Sequence, residues 1–198
     1  MKTPVLKEIY QTQVVPELKK LYNYGNVHQI PTVTKIVINS RIKAEAEKQH
    51  IADVQKDIGI IAGQKPITNK ARISIANFKV RENMPLGVSV TLRGANMWEF
   101  LFRFLTVTLP NIRDFRGVGR KLDGRGNYTL GLSDHTIFPE ITVETGRKAI
   151  GMDITIVTNA KNDEQARELL RLLGMPFRQA LRKSAVDVKA AEAAAPQA

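Results

Sequence analysis

The chain of 198 residues has no cysteine. Disulfides, thiolate metal sites and thiol nucleophiles are therefore excluded together. Its three histidines, His28, His50 and His135, stand far apart, so a histidine-based metal cage is not expected either. No apolar run suits a bilayer: the most apolar stretch, Met97 to Leu109, is short and broken by Glu99 and Arg103. The start, Met1-Lys2-Thr3-Pro4, leads into Glu8 and Gln11 with nothing resembling a signal peptide. Nucleotide-binding loops are missing too. Gly117-Val118-Gly119 is followed by Leu122 where a dinucleotide fingerprint needs its third glycine, and Gly63-Gln64-Lys65-Pro66 lacks Walker spacing. The expectation is a soluble cytoplasmic protein with no cofactor, no metal, no membrane partner and no small-molecule substrate.

Negative charge is scarce as well. Nineteen acidic residues face 30 lysines and arginines, a net charge of +11. Between Gln64 and Arg125 lie twelve cations against only Glu82, Glu99, Asp114 and Asp123, so 62 residues carry +8 of that total. Any one of these cations reads as a solubility charge. Together, interleaved with Gly, Thr, Asn and Ser, they form the footprint of a polyanion ligand, and nucleic acid is the commonest. Basic membrane-surface proteins concentrate such charge in an amphipathic helix or a polybasic cluster, whereas here it is scattered over strands and loops.

The periodicities predict the fold. Thr3 and Pro4 open a helix carrying Val5, Ile9, Val14, Leu18 and Leu21, with a kink expected at Pro16. Val33 to Asn39 is a β-branched strand. Ile51, Val54, Ile58 and Ile61 mark a helix stopped by Gly63 and Pro66. Arg72 to Val80 and Gly87 to Arg93 are strand-like, joined by a turn at Pro85-Leu86-Gly87. In the second, Val88, Val90 and Leu92 share one face, and Ser89, Thr91 and Arg93 the other. Asn96 is placed to cap a helix ending at Pro110. Ile150 to Val157 is a strand, and Asn162 or Asp163 caps a last helix.

In order this is β-α-β-β-α-β, an α+β, ferredoxin-like or RNA-recognition-like sheet with its helices on one face. To it are added an N-terminal helix and a long insertion before the last strand. Residues 1–179 are expected to form one domain. The insertion, residues 110–149, is expected to project in part as a hairpin, and residues 180–198 form an alanine-rich tail.

The carboxylates Asp134, Glu140, Glu144 and Asp153 lack metal-site spacing, and Ser133-Asp134-His135 are neighbours that cannot form a relay among themselves. The cations are expected on the open sheet face and the loops beside it. Strands one and three offer no outward Phe or Tyr for base stacking, so polar contacts to structured RNA are favoured over a splayed single strand.

Several segments, in order, resemble the bacterial large-subunit ribosomal protein L-five family. They are Gly63-Gln64-Lys65-Pro66, Lys70-Ala71-Arg72, Asn77-Phe78-Lys79-Val80-Arg81, Val90-Thr91-Leu92-Arg93-Gly94, Met97-Trp98-Glu99-Phe100, Ile112-Arg113-Asp114-Phe115-Arg116-Gly117, Asp123-Gly124-Arg125-Gly126-Asn127-Tyr128 and Ile137-Phe138-Pro139-Glu140-Ile141. The resemblance implies a structural component of the large ribosomal subunit, not an enzyme. It implies 5S ribosomal RNA binding by Asn39, Gln64, Lys65, Thr91 and Arg93, among large-subunit ribosomal RNA and the neighbouring proteins of the central protuberance. It also implies that Lys70, Arg72, Asn77, Phe78, Lys79 and Arg81 belong to a loop that meets peptidyl-site transfer RNA. The insertion, with Arg113, Asp114, Arg116, Arg120, Arg125 and Asn127, is implied to bridge to a protein of the small-subunit head. Two departures stand out: Ser40-Arg41-Ile42-Lys43 replaces the usual Gly-x-Gly, and His135 replaces the usual Gln. The alternatives are an enzyme acting on structured RNA and an RNA-binding regulator outside the ribosome.

Overall fold

The computed structural model describes residues 3–42, 48–141 and 149–178. The alanine-rich tail, Lys43 and Glu144 lie outside these.

The chain opens with α1 (Val5–Ile9) and α2 (Val15–Tyr22), joined by a π-helical turn over Tyr10–Val14. No sharp kink is needed at Pro16. The ladder widens to i→i+5 just before a ring nitrogen that has no hydrogen to donate. Pro4 takes the N-cap position itself, and Thr3 instead donates its hydroxyl to Glu8. Tyr10 stacks obliquely on Trp98 with centroids 5.5 Å apart and donates its hydroxyl to the Pro31 carbonyl, which docks this helical unit on the domain.

The sheet has five antiparallel strands in the order β2-β3-β1-β5-β4. They are β1 (Val33–Arg41), β2 (Ile67–Lys70), β3 (Pro85–Leu92), β4 (Tyr128–Leu132) and β5 (Met152–Thr158). With α3 (Lys48–Ala62) after β1 and α4 (Gly94–Arg103) after β3, four of the strands form the expected ferredoxin-like pattern. Alternation aims Ile36, Ile38, Val88, Val90, Leu92, Ile154 and Ile156 at the helices, where Val54, Ile58, Met97, Leu101 and Phe104 meet them in one core. Each such side chain contributes roughly 1.5–3 kcal/mol on leaving water.

Four expectations are corrected. Residues 72–80 are not a strand. The second strand lies earlier, at Ile67–Lys70, and a short 3₁₀ turn at Ala76–Phe78 follows. The β-branched Ile73 and Ile75 suggested extension, but both are exposed and pair with no neighbouring strand beyond the isolated Ile75–Val80 bridge. Pro85-Leu86-Gly87 begins β3 instead of turning the chain. Pro85 can do so because β2 runs out beside it at a register shift, and the turn falls before Met84. Helix α4 starts at Gly94, directly after Arg93, two residues before the expected cap. Finally, the described part of the insertion does not project as a hairpin. Its β4 joins the sheet beside β5, and Val118, Leu122, Tyr128 and Phe138 are buried.

The last helix, α5 (Asp163–Leu172), packs Ala166, Leu169 and Leu170 inward. Beyond it, Val118 donates to the Pro176 carbonyl at 2.8 Å and Arg178 to the Val118 carbonyl at 2.9 Å, so the end of the described chain clamps the insertion.

A candidate nucleic-acid interface

The helices cover one face of the sheet and leave the other open. Register places the outward side chains in cross-strand rows. One runs Thr129, Thr155, Val37, Thr91, and the next Gly131, Asp153, Asn39, Ser89, Ile67. Thr129 and Thr155 share a hydrogen bond of 3.1 Å, and Asn69 Nδ2 donates to Ser89 Oγ at 3.0 Å, which confirms that these groups face the same way. The surface offers hydroxyls and amides beside Val37, Ile67 and Asp153, with no aromatic ring among them.

Asn39 and Thr91 therefore sit on adjacent strands of one face, and Arg93, exposed, continues the alternation past the end of β3. Gln64 and Lys65 lie in the α3–β2 connection at the same end of the sheet, lining a shallow cleft of about 570 Å³ with Gln55 and Lys56. Register sets Asn39 and Thr91 on one face, while Arg93 follows the end of β3 and Gln64 and Lys65 lie in the connection beside it. The charge is distributed differently from the expectation. Cations rim the face at Arg93, Lys65 and Arg41, while its centre is polar. Arg103, one of the twelve, is engaged elsewhere: it pairs with Glu140 and donates to the Ile61 carbonyl.

The sequence reading missed Lys35, Arg41, Asn69 and Asp153 on this face, while Ser89 was already read with Thr91 and Arg93 on one side of its strand. Period-two alternation in Val33–Arg41 and Met152–Thr158 was the signal that could have found the strand residues. Gly87, opposite Arg41, carries no side chain because a Cβ there would approach the Ser40 carbonyl oxygen to 2.8 Å.

The 70–81 segment is a braced knob beside the far end of the sheet. Ile75 and Val80 exchange backbone hydrogen bonds of 2.9 and 3.1 Å, Lys79 adopts φ 53°, and the Ala71 carbonyl takes the Asn83 N–H. Ile73, Ile75 and Phe78 nevertheless point to solvent, Phe78 at 68% exposure. With Arg41, Arg72 and Lys79 they line a groove of about 1030 Å³. Among the described residues, no carboxylate lies within ion-pair distance of Lys70, Arg72 or Arg81.

In the insertion, Arg113 and Asp114 are 97% and 87% exposed at a bend, and Arg116, Arg120 and Arg125 are exposed as well. Asn127 is turned inward, donating to Asp123 at 2.6 Å and accepting the Thr158 N–H at 3.3 Å. Asp123 also accepts the N–H groups of Arg125 and Asn127. The Asn127 bonds first, then that from Arg125, hold its carboxyl below the usual aspartate range.

His135 is buried. Its Nδ1 lies 3.2 Å from the Ile150 N–H and 3.4 Å from Asp134 Oδ1, and its Nε2 faces the buried Asp57 at 3.5 Å. Beside it, burial pushes the Asp134 carboxyl up, but hydrogen bonds from Thr136 and the neighbouring His135 outweigh it and leave that group below its ordinary value. The carboxylates Asp134, Glu140 and Asp153 do not converge: one caps a 3₁₀ turn, one holds Arg103, and one lies on the opposite face of the sheet.

Two family profiles match the chain: ribosomal protein L5 over residues 26–81, and the C-terminal part of that ribosomal family over residues 85–177. Among similar curated proteins, large ribosomal subunit protein uL5 of Halothermothrix orenii is 50% identical over 177 residues, 88% of this chain and 99% of that protein. The protein of the same name from Brevibacillus brevis is 52% identical over 175 residues, 87% of this chain and 97% of its own length. That of Thermosipho africanus is 47% identical over 175 residues, with the same shares.

Proposed function

The chain belongs to the ribosomal protein L5 family, and from that premise we propose that it is a non-catalytic component of the large ribosomal subunit that binds 5S ribosomal RNA through its open sheet face. It works on the ribosome in the cytoplasm, among large-subunit ribosomal RNA and neighbouring proteins of the central protuberance. One domain, residues 1–179, carries these contacts.

The observation that carries this reading is the make-up of the open face. Hydroxyls and amides on neighbouring strands, rimmed by Lys65, Arg93 and Arg41, suit the sugars and groove edges of a folded RNA at the centre and its phosphates at the margin. Without an aromatic platform, the face has little to hold a splayed single strand.

The 70–81 knob serves a second RNA, peptidyl-site transfer RNA. Its cations project from a braced backbone at the opposite end of the sheet from Lys65 and Arg93, and its shape is set before binding, which lowers the cost of ordering on contact. The exposed charges of the insertion, Arg113, Asp114, Arg116, Arg120 and Arg125, are of mixed sign and suit a protein of the small-subunit head. Co-sedimentation in sucrose gradients tests the whole. The protein should travel with large subunits and depend on 5S RNA for its place; a protein that remains at the top of the gradient with subunits present would overturn the proposal.

A further inference from the structure

Among the described residues the open face holds one carboxylate. Asp153 stands in its central row, directly opposite Asn39 on β1 and Gly131 on β4. It is exposed, and among the described residues no hydrogen bond or ion pair engages its side chain. Gly131 leaves bare backbone beside it: a Cβ there would come within 3.3 Å of Asp153 Oδ1. The carboxylate is therefore open to a ligand from above and from the edge strand.

For a surface that only attracted phosphates, this is the wrong charge in the wrong place. Removing it would strengthen the field of Lys65, Arg93 and Arg41 for every RNA alike. An ionised carboxylate is an acceptor without a donor, so it repels phosphate and rewards a group that brings a proton. The neighbouring Asn39 and Ser89 extend the same row with groups that both donate and accept, and Asn69 hydrogen-bonds to Ser89 from the next row.

We infer that Asp153 is a specificity-determining residue of the RNA face, accepting a hydrogen bond from a donor on the sugar or base edge of the bound RNA. The donor chemistry is a ribose 2′-hydroxyl or the amino group of guanine in a shallow minor groove. The inference rests on the reading of this face as the 5S RNA site. Cations at the rim draw in any RNA; the carboxylate at the centre rejects those that present phosphate where a donor belongs.

The sign of one mutational effect decides the matter. Affinities of the wild type, D153A and D153N would be measured by filter binding at fixed salt, for 5S RNA and for an unrelated structured RNA of equal length. D153A should weaken 5S binding by about 10-fold or more, as expected for loss of a charge-assisted bond, and tighten the unrelated RNA. D153N is nearly isosteric and should fall between, and it carries the test should D153A melt early. Guanosine-to-inosine and 2′-deoxy substitutions across the protein footprint then identify the donor as the one whose removal abolishes the difference between wild type and D153A. A difference that survives both overturns the inference, as does tighter or unchanged 5S binding by D153A. If the T91A/R93A variant loses 5S affinity while D153A gains it, only this inference fails; if neither variant loses affinity, the face is not the site and both readings fail.

Discussion

Asp163, the first residue of α5, accepts the backbone N–H of Gly126 at 2.9 Å across 37 residues of sequence, and its second oxygen takes the N–H of Gly124 at 3.1 Å. With Asp123 holding the N–H groups of Arg125 and Asn127, two carboxylates fix consecutive amides of one short loop and leave the Arg125 side chain exposed at its tip. Gly126 could not be replaced cheaply. It sits at φ 78°, and a Cβ would approach the Ala160 carbonyl oxygen and methyl to 3.1 Å.

Changing Asp163 to Ala should therefore lower stability by about 1–3 kcal/mol, the worth of two bonds to a charged acceptor at a half-buried site. Amide hydrogen exchange at Gly124 and Gly126 should quicken well beyond that of the β-sheet. Equal protection in the two proteins would mean that the loop is held by something else.

His135 gives a second stability prediction. H135A leaves Asp57 facing a cavity and the Ile150 N–H without an acceptor, so urea denaturation should show a loss of about 3 kcal/mol or more. H135Q should lose much less, because an amide both donates and accepts. Equal losses in the two variants would show that ring packing, not the Asp57 contact, is what matters.

Acid should unpick the insertion through Asp123 and Asp134. Both pKa values are depressed in the folded protein. An unfolded aspartate titrates near about 3.9, so as pH falls the unfolded chain takes up these protons first. The stability they contribute is complete above that pH and is lost as pH falls through the lower folded values. Denaturation midpoints measured from pH 6 to pH 2.5 should drop less steeply for D123N/D134N than for wild type, and parallel curves would contradict the assignment.

Strands β1 and β3 and helix α3 were legible because Ile36, Ile38, Val88, Val90 and Leu92 alternate without a break and Ile51, Val54, Ile58 and Ile61 keep helical spacing. Local signals misled where tertiary contacts dominate. Ile73 and Ile75 look like strand residues, yet they stand exposed on a knob fixed by backbone bonds between positions 71–84. Tyr128 to Leu132 was read as part of a projecting arm because nothing in five residues reveals an edge pairing with a strand 24 positions away. Thr91 and Arg93 were found from alternation alone. Asp153 was passed over because an isolated aspartate carries no sequence signature, and only register sets it beside Asn39.

The division of RNA contacts is separately testable. Replacing Lys70, Arg72, Lys79 and Arg81 with Gln should leave 5S RNA affinity within about twofold, since they lie at the other end of the sheet from Lys65 and Arg93, while transfer RNA dissociates faster from assembled ribosomes. Failure of this variant to enter the large subunit would assign the knob to assembly.

The central claim is that the open sheet face is the 5S RNA site, and the salt dependence of that affinity, compared between wild type and T91A/R93A, tests it most directly. Four cations lie on or beside the face, Lys35, Arg41, Lys65 and Arg93, so log affinity against log salt should fall with a slope of about −3. In T91A/R93A the slope should flatten by roughly one unit and affinity should drop by about 2–4 kcal/mol, with the melting temperature unchanged because both side chains are exposed. A wild-type affinity insensitive to salt, or a variant that binds 5S RNA as tightly as wild type, would contradict the account.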